Sequence, residues 1–147
     1  MINYICGKLL IHAKNKNIKM NIGDISKDMN ILFDRDGFEQ IILNIAGNAI
    51  KYTQKHGSIW INAKKEDKNI IISIKDDGIG IPKEDQSRIF DRFYRVDKAR
   101  TRQMGGTGLG LSIAKQIAEA HNSRITVNSE VHKGTEICVI IPEYETE

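Results

Sequence analysis

The chain has 147 residues, of which 28% are charged and 40% hydrophobic, with a formal net charge of +3. That length buries a sizeable core without disulfides, and the charge is too small to argue for nucleic acid by itself. Cys6 and Cys138 form no CxxC pair and no zinc-spaced cluster, no apolar run approaches the ~18 residues of a membrane span, and the start MINYICGKLLIHAK lacks a signal-peptide pattern, which together predict a cytoplasmic protein.

Residues 2–16 read as a short amphipathic helix, and IKMNI (18–22) and NILF (30–33) as short strands. A long helix follows over 37–53, started by a capping box of Asp36 and Glu39. QKHG is a turn. SIWINAKKE and KNIIISIKD are strands joined around Glu66, Asp67 and Lys68 as a hairpin. DGIGIP breaks regularity, and Pro82 then opens a polar helix, KEDQSRIFDRFYRV. Residues 96–107 hold no hydrophobic period and read as a long mobile loop. LSIAKQIAEAH is a strongly periodic helix, and SRITVNSE and TEICVIIP are two strands around HKG. Helices interleave with hairpin-linked strands, which predicts an α+β fold: one mixed sheet with helices on one face.

Three clusters carry chemistry. On the helix 37–53, Phe38, Ile41, Ile42, Leu43, Ile45, Ala46, Ala49 and Ile50 fill a broad apolar arc. Gln40, Asn44, Asn48 and Lys51 form a strip on the other side, with Tyr52 at its edge. A solvated face is one reading. The chain's other surface is rich in Lys, Glu and Asp, however, and short neutral amides beside one cation suit a hard metal ion that already carries an anionic ligand.

In the second cluster, IIISIKDDGIGIP, a β-rich run ends in Asp76, followed by Gly78, Gly80 and Pro82. The two glycines let backbone approach a planar ligand. A carboxylate at a strand end accepts from an exocyclic amine, which adenine has and guanine replaces by a carbonyl. An ordinary strand-to-helix turn explains the same residues equally well.

The third cluster, GGTGLGLSIAKQIAEAH, leads glycines 105, 106, 108 and 110 into a helix, a junction suited to anions. Leu111 stands where a GxGxxG pattern needs its last Gly, and no Lys follows Gly110, so neither common phosphate loop is present. Upstream, Arg92, Arg95, Lys98, Arg100 and Arg102 form a basic run around two aromatics. Such a run is either a solvated surface or a lid that closes over phosphates.

The order NxxxNxxK, DxGxG, IFDRFYR, GGTGLGLSIAK resembles the N, G1, F and G2 boxes of the catalytic, ATP-binding domain of bacterial sensor histidine kinases, across residues 34–121. That family belongs to the wider group shared with gyrase, mismatch-repair ATPases and a heat-shock chaperone. HKGTEICVIIP resembles its closing strand pair. Two departures concern loop shape: Asn122-Ser123 replace a glycine-rich pair, and Val131-His132 replace a Pro-Gly turn.

The resemblance implies a two-layer α/β sandwich of the Bergerat type, a mixed sheet covered on one face by about three helices. Residues 1–18 would be a lead-in segment after a dimerisation and phosphoacceptor domain, and 19–147 the catalytic domain. ATP and Mg2+ are the implied cofactors. Asn48 would ligate the metal, with Asn44 assisting through water or phosphate. Lys51 and Arg95 would meet phosphates, so that Asn44, Lys51 and Arg95 form the implied catalytic group. Tyr52 and Tyr94 would line the nucleotide, Asp76 would hold the adenine amine, and Gly78 and Gly80 would allow the approach. Ile81 and Thr135 complete that side. Gly106, Thr107, Gly108, Leu109 and Gly110 would wrap the phosphates, and Phe90 and Phe93 would anchor the lid or a docking face.

The four histidines, His12, His56, His121 and His132, lack the acidic neighbour of the family's phosphoacceptor. The chain is therefore read as the donor half of a kinase: a monomeric unit inactive on itself, with ATP/ADP, the acceptor domain and, indirectly, a response regulator as partners. It would touch neither nucleic acid nor membrane. An ATP hydrolase of the wider group would carry a Glu at position 44, where Asn cannot act as a base. A serine kinase, or a module that binds nucleotide without catalysis, is the alternative.

Overall fold

The computed structural model describes residues 1–95 and 109–146. In chain order the elements are α1 (Ile2–Asn15), β1 (Lys19–Ile25), α2 (Arg35–Tyr52), β2 (Ser58–Glu66), β3 (Asn69–Asp76), α3 (Gly110–Ala120), β4 (Arg124–Glu130) and β5 (Gly134–Pro142). The five strands form one sheet in the order β1-β2-β3-β5-β4. Only β1 and β2 run parallel; the other pairs are antiparallel.

Strand parity builds the core. On β3, Ile70, Ile72 and Ile74 point inward, paired across β5 with Ile141, Val139 and Ile137. Ile59, Ile61 and Ala63 extend that inner face onto β2. The helices lie side by side in the order α1-α2-α3 against it. Alternate β-branched residues favour a pleated strand buried on one side, and the apolar arc of α2, from Phe38 to Ile50, closes the layer above them. This is the two-layer sandwich expected. Helix α1 contributes Ile5, Cys6, Leu9 and Ala13 to the same core. Among the described residues, no helix is long and apolar enough to cross a membrane.

Three local expectations need correction. NILF is not a strand: β1 pairs with β2 alone, and Phe33 stacks on His121, ring centroids 3.9 Å apart. Helix α2 starts two residues early, with Asp34 as the N-cap accepting from the Gly37 N–H at 2.7 Å. Glu39 does not close a capping box; it pairs with Lys8 of α1. Finally, the described part of the polar segment after Pro82 forms successive turns instead of a helix, with bonds three residues apart such as Asp85 N–H to Pro82 O and Arg88 N–H to Asp85 O. Gln86 turns back there, donating to Ile81 O and Ser129 O, and ties the segment to the end of β4.

Candidate nucleotide site

The inward row of β3 does not stop at Ile74. Parity carries Asp76 onto the same side, where it is only 7% exposed, with Thr135 of β5 as its cross-strand partner. Burial pushes its carboxyl above the usual range; the N–H groups of Gly78 and Thr135 oppose that shift, and Asp77 adds to it. The Gly78 N–H lies 2.9 Å from Asp76 Oδ1.

Above this row, the polar strip of α2 faces a cavity of about 670 Å³. Asn44, Asn48, Lys51 and Tyr52 line it from α2, Asp76 and Thr135 from the sheet, Gly80 and Ile81 from the β3–α3 connection, with Tyr94, Arg95 and Gly110. Eleven of the proposed site residues thus share one cavity. The amide Nδ2 of Asn44 is buried without a hydrogen-bond partner among the described residues. Its side chain lies opposite the start of α3, 3.8 Å from where a Cβ on Gly110 would stand. Burial pulls the Lys51 ammonium below its usual pKa, and the neighbouring charge of Arg95 adds to this. Lys51 Nζ lies 5.4 Å from the Tyr52 ring centroid. The Tyr94 hydroxyl bonds to Asp85, and the guanidinium of Arg88 sits 4.5 Å from its ring.

The glycines of DGIGIP also meet a steric demand inside the fold. A Cβ on Gly78 would come within 2.5 Å of Tyr52 O, and one on Gly80, at φ +73°, within 2.1 Å of Glu130 O. They let the connection press against the end of α2 and the β4–β5 turn, where side-chain carbon would collide with backbone. Gly78 and Leu109 do not line the cavity, and Phe93 points outward, 67% exposed. Gly106, Thr107 and Gly108, and the expected lid at 96–107, lie outside the described residues.

Sequence reasoning missed several contributors. Lys16, just past α1, donates to Ile50 O at 2.9 Å and Lys51 O at 2.8 Å, fixing the last turn of α2 that carries Lys51 and Tyr52. Ile79, Ile89, Leu111 and Val131 form apolar walls. No residue type announces such a role; only proximity in the fold does. His132 and Asn122, at the two departures from the family pattern, take left-handed φ values of +65° and +54°. Both residues are therefore left-handed at some local strain.

One cavity thus holds a buried carboxylate, two neighbouring cations and two amides above an apolar floor. It suits a ligand with a flat apolar body, a hydrogen-bond donor and an anionic group.

Comparison with known proteins agrees. Residues 33–145 match the model of the histidine kinase-, DNA gyrase B-, and HSP90-like ATPase family. The chain is 47% identical over 121 residues to the sensor histidine kinase WalK of Bacillus subtilis (strain 168), covering 81% of this chain and 20% of that protein. It is 49% identical over 115 residues to the signal transduction histidine-protein kinase ArlS of Staphylococcus aureus (strain USA300), covering 78% of this chain and 26% of that protein. Among solved structures, full-length ShkA in complex with AMPPNP superposes with a TM-score of 0.84 at 28% identity, covering 98% of this chain and 29% of that one. The chain therefore spans about a quarter or less of the curated relatives it matches.

Proposed function

The chain belongs to the histidine kinase-, DNA gyrase B-, and HSP90-like ATPase family, and from that premise we propose that it binds magnesium-ATP and donates the γ-phosphoryl group to a histidine on a separate helical domain of a sensor kinase. The observation that carries this reading is the meeting of Asp76 with Lys51 and Arg95 in one cavity. A buried carboxylate selects an amine-bearing base, while the two cations lining the same cavity attract an anionic group.

The residues fit the implied cofactors. The buried Nδ2 of Asn44, partnerless among the described residues, is a donor suited to a phosphate oxygen. No group of three or more His, Cys, Asp or Glu that could hold a metal occurs among the described residues. That suits magnesium, which takes one or two protein oxygens and fills its shell with phosphate and water. Asn48 would supply the direct oxygen and Asn44 would assist. The ion would neutralise charge on the transferring phosphoryl group. Lys51 and Arg95 orient the phosphates, and Asp76 with Thr135 holds the base.

The position of Asn44 separates this reading from a hydrolase, since a neutral amide cannot deprotonate water. The acceptor histidine then has to come from a partner domain, with a response regulator as the next recipient. The parent is a cytoplasmic or membrane-anchored sensor kinase.

Titration with Mg-ATP and Mg-GTP tests binding, and labelled ATP tests transfer. The chain alone should bind ATP with neither self-labelling nor brisk phosphate release. Adding the parent's helical domain should yield acid-labile, base-stable phosphohistidine on that domain. Brisk hydrolysis by the lone chain would overturn the donor-domain reading.

A further inference from the structure

We infer that Ser129 is a positioning residue for base selectivity: it fixes the direction of the Thr135 hydroxyl beside Asp76. Among the described residues, Ser129 Oγ has three polar neighbours. The Ile81 N–H approaches at 2.8 Å, the Gly134 carbonyl oxygen lies at 2.9 Å, and Thr135 Oγ1 lies at 2.7 Å. A serine hydroxyl has one hydrogen and two lone pairs. Ile81 N–H can only donate, so it takes a lone pair. Gly134 O can only accept, so it takes the hydrogen. The contact with Thr135 is then made by the threonine hydrogen, donated to the second lone pair.

This count has a chemical consequence at the cavity. Thr135 lines it and stands across the ladder from Asp76. With its hydrogen committed to Ser129, its oxygen offers only lone pairs. The ionised Asp76 side chain likewise only accepts. That corner therefore presents acceptors alone, matching an exocyclic amine with two hydrogens and repelling a carbonyl. If Ser129 were lost, the Thr135 hydroxyl would be free to turn and donate to a carbonyl, and discrimination between the two groups would fall. Further hydrogen bonds frame Ser129: Gln86 bridges Ile81 O and Ser129 O, and the His132 N–H donates to Ile79 O at 2.8 Å.

The inference rests on the adenine reading of Asp76, and the test separates the two. The dissociation constants of Mg-ATP and Mg-GTP are measured by calorimetry for the wild type, Ser129→Ala, Ser129→Thr and Ser129→Ala/Thr135→Val. We expect Ser129→Ala to lower the preference for ATP by about tenfold, the worth of one hydrogen bond. Ser129→Thr, which keeps the hydroxyl, should retain the preference. The double variant should recover it, because valine has no hydrogen to turn toward a carbonyl. A loop merely loosened by Ser129→Ala would stay unselective in the double variant, and that result overturns the inference. An unchanged preference in Ser129→Ala, or a lost one in Ser129→Thr, overturns it as well. Wild-type protein without any preference for ATP, or Asp76→Asn that keeps one, removes the adenine reading itself and the inference with it.

Discussion

His121, at the C-terminus of α3, accepts a hydrogen bond from the backbone N–H of Asp34, the N-cap of α2, at 3.3 Å. Its Nδ1 lies 2.8 Å from Ile117 O, and with Nε2 accepting from Asp34 the hydrogen on Nδ1 is the one that meets that carbonyl. Phe33 stacks on it with an interplanar angle of 11°. One imidazole therefore ties the start of the helix that carries Asn44 and Asn48 to the end of the helix that starts at Gly110. Both of its nitrogens are engaged in structural bonds.

That bond predicts the effect of His121→Ala. Two hydrogen bonds and a ring stack are lost, a cost of about 2 kcal/mol in urea unfolding. His121→Phe keeps the stack and should recover part of that loss. Equal stability of the wild type and His121→Ala would show that the ring ties nothing.

Asp76 sets stability against binding. Its folded-state pKa is raised, so between the ordinary carboxyl value and the raised one the folded protein holds the proton more tightly than the unfolded chain. Stability from this group therefore falls as pH rises through that window. Asp76→Asn removes the titration, and its stability relative to wild type should grow in thermal melts as pH rises from about 4, the ordinary carboxyl value, through the raised one. The same variant should bind ATP about ten- to a hundredfold more weakly, because an amide hydrogen then faces the base amine. A difference in melting temperature that stays flat with pH would contradict the buried carboxylate.

Asn44 makes a similar bargain. Its buried amide nitrogen has no partner among the described residues, and such a group costs about 1–3 kcal/mol. Asn44→Leu, which is close in size, should stabilise the free protein by about 1 kcal/mol while weakening ATP and leaving adenosine affinity unchanged. Equal loss for ATP and adenosine would place Asn44 at the base instead of the phosphates.

Gly134 and Gly7 form a contrasting pair. At Gly134, φ is +111° and a Cβ would lie 2.0 Å from Asp76 O, whereas at Gly7 nothing among the described residues beyond the helix's own backbone and the two chain neighbours stands within 4 Å of one. Gly134→Ala should cost more than about 2 kcal/mol from strain and collision and displace Asp76, reducing ATP binding too. Gly7→Ala, inside α1, should add about 0.5–1 kcal/mol of stability. Chemical denaturation of both proteins decides it, and a mild Gly134→Ala would mean that the β5 start yields easily.

The sequence alone determined the elements whose signals are local and periodic. The alternating isoleucines of β2 and β3, the apolar arc of α2 and the 3.6-residue period of α3 each declare themselves within a dozen residues, because the pleat and the helix turn repeat on that scale. It also singled out Asn44, Asn48 and Asp76 as polar residues out of keeping with the rest of the surface, and the fold brings these three to one cavity. The tertiary structure decided everything that depends on distant partners. Asp34 and Asp36 are equivalent caps by composition, and the position of His121 near Asp34, 87 residues away, accompanies the choice of the first. The segment after Pro82 has helical composition, yet Gln86 finds Ser129 at a separation of 43 residues and the chain follows that contact. Gly78 and Gly80 look alike in any strand-to-helix turn, and only the carbonyls of Tyr52 and Glu130 reveal what a side chain there would strike. A local pattern can state what a residue is suited to, but the surface that meets it is supplied by chain far away in sequence, and that surface exists only once the sheet and helices have packed.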